Sequence, residues 1–293
     1  GNGSLSKPIN EKEIEKEGIQ VYIYSHTKEI SSLYYYYSEE DEVMAVLVTG
    51  TPLFPKKKDF IRVLTERHPE ITTIVQNVNN RRTSMILADK SIVLFGKGKI
   101  RDELCGLTFE LSPESFYQIN HDQTEKLYKA AGKAAGLRGN ETVLDAYCGI
   151  GTIGLTMAAR CRKVIGVEIN RAAVRDAVRN AGLNNIENAE FFCDDAGRFM
   201  QRLAAEKEKV DVLIMDPPRA GSDIKFLSAA VRMQPGKIVY VSCNPITQKN
   251  DLIYLTGHGY EVKSIQPVDM FPFTDHVETV VLLSKGNISS KKV

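Results

Sequence analysis

Cys243 follows the apolar run Val239-Tyr240-Val241-Ser242 and precedes Asn244-Pro245. A thiol at the carboxyl end of a strand lies on the edge where open α/β sheets bind ligands, and as a thiolate it is a nucleophile. A cysteine in such a place is equally an ordinary small core residue. The segment from Phe271 to Val280 offers His276 and Glu278 as groups able to accept a proton. Asp216 opens Asp216-Pro217-Pro218-Arg219, where two prolines remove two N–H donors and stiffen the backbone, a segment suited to presenting a polar side chain beside a flat ring. Gly149, Gly151 and Gly154 form a GxGxxG after Asp145-Ala146-Tyr147-Cys148, and Glu168 stands 19 residues beyond Gly149. Glycines there let a ligand approach the backbone, and a carboxylate at that distance can accept both hydroxyls of an adenosine ribose. Both features suit a dinucleotide as well as another adenosine cofactor.

Such residues need a scaffold that ends several strands on one edge. From about residue 122 short apolar runs alternate with helical stretches, the pattern of a doubly wound parallel sheet. Predicted strands cover 142–146, 164–168, 189–193, 210–215 and 237–242, and predicted helices 153–160, 171–181, 196–206 and 224–233. Two more strands, 260–268 and 277–284, are close enough in sequence to pair antiparallel at one edge. Upstream, 21–25, 33–37, 43–48, 72–78, 92–94 and 107–111 read as strands around one amphipathic helix, 58–67, ended by His68-Pro69. That pattern predicts a small α+β domain with an antiparallel sheet. Tyr34 to Tyr37 read as packing residues of a strand in preference to a platform for bases. The chain thus divides into an extension over 1–18, a small α+β domain over 19–111, a larger α/β domain over 112–285 and a Lys/Ser tail over 286–293.

Composition narrows the class. Hydrophobic residues at 43% and charged residues at 26% are globular averages, and no apolar run approaches the ~20 residues that span a bilayer. Five cysteines without a CxxC pair or a signal peptide point to a reducing, cytoplasmic setting, and no His or Cys spacing suits a metal. A net charge of +1 is small for a nucleic-acid binder, with local basic clusters only at Lys56-Lys57-Lys58 and Arg81-Arg82. Gly1-Asn2-Gly3-Ser4 lacks an initiating Met, so further chain is expected upstream. Oligomeric state is open, with a monomer as the working expectation.

An acidic glycine loop, an acid after the second strand and a D/N-P-P motif after the fourth resemble class I S-adenosylmethionine-dependent methyltransferases. The amino-group enzymes of that class share Asn-Pro-Pro-aromatic. Asp216 and Arg219 stand at those places here, which implies a different acceptor. Carbon 5 of a pyrimidine is too weak a nucleophile to attack a sulfonium methyl unless a thiolate first adds to carbon 6, and a base must afterwards remove the carbon-5 proton. FYQIN (Phe116 to Asn120), DAYCGIG, DPPR, SCNP and FPFTDHVET, in that order, closely resemble the RNA uracil-5-methyltransferase family. The resemblance is strong over 107–285 and looser over 43–106, as that family's central domain.

It implies an α/β fold of the Rossmann-like class I methyltransferase type with a mixed seven-stranded sheet, plus a smaller α+β N-terminal domain. It also implies S-adenosylmethionine as cofactor, S-adenosylhomocysteine as product and a flipped or unpaired uridine of RNA as acceptor. Carried over by position, Cys243 is the nucleophile and Glu278 the proton acceptor. Gln118, Tyr147, Glu168 and Asp216 contact cofactor or uracil, with Gly149 and Gly151 in the cofactor loop. Asp216 could read N3–H of the base, beside Arg219 and His276 on the substrate side. The FYQIN form is more similar to the ribosomal RNA enzymes than to the transfer RNA ones, which implies 23S rRNA. Family members commonly carry an upstream oligonucleotide-binding domain, and some a cysteine-ligated iron–sulfur cluster, neither of which this sequence contains. Two other readings stay open: an amino-group methyltransferase in which Cys243 is structural, and a noncatalytic RNA-binding module.

Overall fold

The computed structural model describes residues 21–22, 30–38, 42–80, 87–88, 90–113, 117–118, 120–206 and 208–286, with the backbone alone for 21–22 and 30–37. The Arg81-Arg82 pair, the Tyr34 to Tyr37 side chains, Phe116 of FYQIN, the extension and most of the tail therefore lie outside the described side chains. The chain forms two compact units, one over 1–103 and 108–119, the other over 104–107 and 120–293.

In the first unit, strands β1 (Val21–Tyr22), β2 (Ile30–Tyr37), β3 (Val43–Thr49), β4 (Ile71–Val78) and β5 (Ser91–Phe95) form one sheet in sequence order. The expected all-antiparallel pairing is corrected here, because β3 and β4 run parallel. Helix α1 (Lys57–Arg67) lies between them in sequence, and a crossover helix returns the chain to the end where the previous strand began, which makes the next strand parallel. Phe60, Ile61 and Leu64 of α1 pack on Val43, Ala45, Leu47, Ile71 and Ile74. Every residue of β3 is buried, and Val43 to Val48 form a continuous apolar run. A two-stranded ribbon follows, β6 (Ile100–Leu104) and β7 (Leu107–Leu111), joined by Cys105 and Gly106 at φ 54° and 75°, the paired positive angles of a tight hairpin turn. Strand β6 has no counterpart among the predicted strands.

In the second unit, α2 (His121–Ala135) is capped by Asn120, which accepts from Gln123 N–H, and ends at Gly136 in the left-handed region. The alternation then runs β8 (Thr142–Ala146), α3 (Thr152–Met157, with one 3₁₀ turn to Arg160), β9 (Lys163–Glu168), α4 (Arg171–Leu183), β10 (Ala189–Cys193), α5 (Ala196–Ala205), β11 (Val212–Met215), α6 (Ile224–Met233), β12 (Lys237–Ser242), α7 (Pro245–Gly257), β13 (Tyr260–Val268) and β14 (Glu278–Lys285). The seven strands order as β10-β9-β8-β11-β12-β14-β13, parallel from β10 to β12. Strand β14 pairs antiparallel with both β12 and β13, so the last strand in sequence is inserted inside the edge instead of forming it. Neither α2 nor α7 is among the predicted helices. In α7 the apolar residues Leu252, Ile253, Tyr254 and Leu255 run consecutively, and two of its three buried residues, Gln248 and Asp251, are polar, so no apolar stripe at helical spacing marks it. Among the described residues no helix is long and apolar enough to cross a membrane.

Candidate active site

The carboxyl ends of β8, β9, β11 and β12 and the start of β14 share one edge of the sheet. At the end of β8 the buried Asp145 accepts from Gly154 N–H at 2.8 Å through Oδ2, while its Oδ1 is buried without a hydrogen bond. Burial, opposed by that N–H and reinforced by Glu168, pushes its carboxyl up to about 7. The chain then bends through Tyr147 at φ 64°, whose ring lies 5.1 Å from that of Phe226 and whose hydroxyl burial pushes up to about 12.

The glycines that follow differ in purpose. A Cβ on Gly149, at φ 54°, would meet nothing within 4 Å, so this turn faces open space. A Cβ on Gly154 would lie 2.8 Å from Asp145 Oδ2 and 2.9 Å from Val164, so glycine there is what lets helix α3 sit on its strand. Gly151, at φ 86°, would bring its Cβ to 3.0 Å from the Phe191 ring. Glu168, at the end of β9, is half-buried and accepts from Gly149 N–H at 3.1 Å and from Asn170 N–H at 2.8 Å. The carboxylate therefore ties the loop to the second strand.

On the other side of β8 the groups are titratable side chains. Asp216, half-buried just past β11, is pushed up to about 8 by burial, then by the neighbouring carboxyls of Glu278 and Asp145. Ser242 and Thr279 are the last partners of the β12–β14 ladder; Cys243 follows the first of them and Glu278 precedes the second. Cys243 is half-buried; burial raises its thiol, as do Glu278 and Asp216, while Arg219 lowers it. Glu278 is 4% exposed and is pushed up to about 7 by burial, against the pull of Arg219.

Arg219 joins these elements. Its carbonyl accepts from Asn244 Nδ2 and Thr247 Oγ1, each at 3.0 Å, and its guanidinium donates to His276 Nδ1 at 2.9 Å. Beneath them Thr279 Oγ1 donates to Gln248 Oε1 at 2.6 Å, and Gln248 Nε2 donates to the Tyr240 carbonyl at 3.2 Å, a buried network that fixes α7 against β12 and β14.

The second unit thus gathers Tyr147, Gly149, Gly151, Glu168, Asp216, Arg219, Cys243, His276 and Glu278. Gln118 belongs to the first unit, where it is half-buried. Sequence reasoning did not single out Asn244, which caps α7 by accepting from Ile246 N–H at 3.1 Å, although Asn followed by Pro is a legible cap signal. It also missed the Gln248–Thr279 pair, which no local pattern announces. Among the described residues no group of three or more His, Cys, Asp or Glu could hold a metal ion.

A sequence profile described as tRNA (uracil-5-)-methyltransferase matches residues 85–286, more than half of the chain. The chain belongs to this family. Among relatives of this family member, an uncharacterized RNA methyltransferase of Enterococcus faecalis is 50% identical over 246 residues, covering 84% of this chain and 54% of that protein. One from Oceanobacillus iheyensis is 42% identical over 281 residues, covering 94% and 61%. The chain spans a little more than half the length of the curated relatives it matches. Among solved structures, the Pyrococcus abyssi tRNA (uracil-54, C5)-methyltransferase in complex with S-adenosyl-L-homocysteine aligns at a TM-score of 0.69 and 31% identity, over 87% of this chain and 60% of that one. A putative S-adenosylmethionine-dependent methyltransferase of Streptococcus mutans, at 12% identity and a TM-score of 0.58 over 86% and 70%, shares the fold alone.

Proposed function

We propose that this chain is the methyl-transferring part of an S-adenosylmethionine-dependent RNA uracil-5-methyltransferase that works through a covalent Cys243 adduct. The observation that carries this reading is the pair at the end of β12 and the start of β14, Cys243 and Glu278, with Asp216 just past the adjoining strand β11. The residues also fit the cofactor. The open space at Gly149, flanked by Glu168, would receive an adenosine, and Tyr147 and Asp216 would border it. S-adenosylmethionine held there supplies an electrophilic methyl group and leaves as S-adenosylhomocysteine.

The protein's own residues account for the remaining chemistry. Cys243, as thiolate, forms a bond to carbon 6 of uracil, and the electron pair of the 5,6 double bond moves toward carbon 5 and the O4 carbonyl, so that carbon 5 can take the methyl. Glu278 then accepts the carbon-5 proton. The pair left behind restores the double bond, the C6–S bond breaks and the thiolate is released. Arg219, which draws both the thiol and Glu278 toward their charged forms, supports the first and the last of these events. Asp216 can accept N3–H of uracil through a carboxyl oxygen.

The FYQIN resemblance favours 23S rRNA as substrate. Transfer RNA is the second reading, favoured by the 31% identity to the Pyrococcus abyssi enzyme. Incubating the full-length protein with unmodified ribosomal and transfer RNA and labelled cofactor, then mapping the nucleoside, tests both. The expected product is 5-methyluridine in one RNA class. A methyl on an exocyclic nitrogen, or full activity of Cys243→Ala, overturns the proposal.

A further inference from the structure

Phe273 sits in the loop between β13 and β14, five residues before Glu278, and is 108% exposed, the most exposed large hydrophobic side chain described. Its backbone is held at φ 66°, a conformation that bulky L residues adopt at a cost. The loop around it is nonetheless ordered by its own bonds. Thr274 N–H and Oγ1 both donate to the Phe271 carbonyl, at 3.2 and 2.7 Å, and His276 N–H donates to Thr274 Oγ1 at 3.2 Å. Phe271, partly buried, meets the His276 ring edge-on, with 6.5 Å between centroids. One aromatic of the Phe-Pro-Phe segment therefore anchors the loop, and the other is presented to solvent on a strained, fixed backbone.

The other rim of the site repeats the pattern. Ile246, three residues after Cys243, is 76% exposed although its N–H is bound to the Asn244 cap. Both rims are tied to Arg219, the loop through His276 Nδ1 and the first turn of α7 through Asn244 and Thr247. The segments that carry Cys243 and Glu278 thus each present one bare apolar side chain, and both are bonded to the same cation, Arg219. An exposed apolar side chain beside a cationic one is the combination that stacks on bases and meets phosphates, and enzymes acting on a base must take it out of its stack.

Resting on the uracil-methylating function proposed above, we infer that Phe273 is a base-stacking wedge that fills the gap left by the flipped uridine, with Ile246 as the opposing lip. The occupant is the neighbouring base of the RNA strand. The strain at φ 66° is consistent with a side chain held out for a partner instead of folded back onto its own loop.

The test compares wild type, Phe273→Ala and Phe273→Trp in the full-length protein on two RNAs of the same target sequence, a structured hairpin and an unstructured oligonucleotide. Phe273→Ala is expected to lower kcat/KM about 10- to 100-fold on the hairpin and less than about threefold on the oligonucleotide, where no stack has to be opened, while Phe273→Trp retains hairpin activity. A second readout places 2-aminopurine beside the target in the hairpin. Its fluorescence rises on binding wild type as the neighbour unstacks, and the rise is largely lost with Phe273→Ala. Unchanged hairpin activity and fluorescence in Phe273→Ala, or equal losses on both RNAs, overturn the wedge. The fluorescence needs no turnover, so a wild-type protein that unstacks the probe through Phe273 without methylating uridine supports the wedge and refutes the proposed reaction alone.

Discussion

The ends of β8 and β9, and the ends of β11 and β12 with the start of β14, occupy the same edge of one sheet and are built differently. On the first side the functional surface is backbone: Gly149 opens onto empty space, Gly154 admits the carboxylate of Asp145, and Glu168 is already bonded to two N–H groups. On the second side it is a set of side chains, Asp216, Cys243 and Glu278, each of which burial makes harder to ionise, with Glu278 adding to the effect on Asp216 and Cys243. Binding by shape needs a fixed backbone, whereas moving a proton needs a group such as Glu278 whose charge can change near neutral pH; on the first side only Asp145, at about 7 with its Oδ1 unbonded, is of that kind among the groups named. Arg219 and the Gln248–Thr279 network are found only on the second side, where like charges converge.

The division can be broken most decisively at the thiol. Cys243→Ala is expected to lower methylation by at least about 10⁴-fold while leaving cofactor affinity within about twofold, measured by single-turnover assay and equilibrium dialysis. If affinity falls with activity, the two sides are not separable. Glu278→Gln should still form the adduct but not resolve it, so a protein–RNA band stable to denaturing electrophoresis accumulates. Absence of the band together with normal turnover would remove Glu278 from its role. On the backbone side, Gly154→Ala forces a Cβ to 2.8 Å from Asp145 and should destabilise the fold by about 1–3 kcal/mol in denaturant titration. Gly149→Ala has room for its Cβ but carries left-handed strain of about 1–2 kcal/mol, and it should weaken cofactor binding about tenfold with the thiol's alkylation rate unchanged.

Smaller effects come from pH. Asp145, Asp216 and Glu278 are raised to about 7, 8 and 7, so each is more readily protonated folded than unfolded. Groups of this kind contribute stability that is present below the unfolded carboxylate pKa of about 4 and lost as pH rises through 7 to 8. The unliganded protein should therefore melt a few degrees lower at pH 8.5 than at pH 5, and Asp145→Asn should flatten that slope. Catalysis runs the other way: a base at about 7 must be ionised, so kcat/KM should climb as pH passes through 7.

Much of this arrangement was legible in the residues. The strands 142–146, 189–193, 237–242 and 260–268 and the helix 224–233 were predicted with the bounds observed; 142–146 and 237–242 are short apolar runs and 224–233 carries an amphipathic face. Elements that bury polar side chains were not, as Asp102 of β6 and Gln248 and Asp251 of α7 illustrate. The parallel pairing of β3 with β4 escaped because period-2 alternation describes a strand's faces and not its direction.

Residue order alone determined which groups stand at strand ends and so share an edge: Tyr147, Glu168, Asp216 and Cys243 each follow an apolar run, and a parallel sheet aligns such ends by construction. Tertiary structure decided what those groups face and how they ionise. The insertion of β14 between β12 and β13 brings the start of β14, with Glu278, to the end of β12, and the Arg219–His276 bond spans 57 residues. Both depend on non-local pairing and on burial, quantities that belong to the packed sheet and have no counterpart in any stretch of the chain read alone.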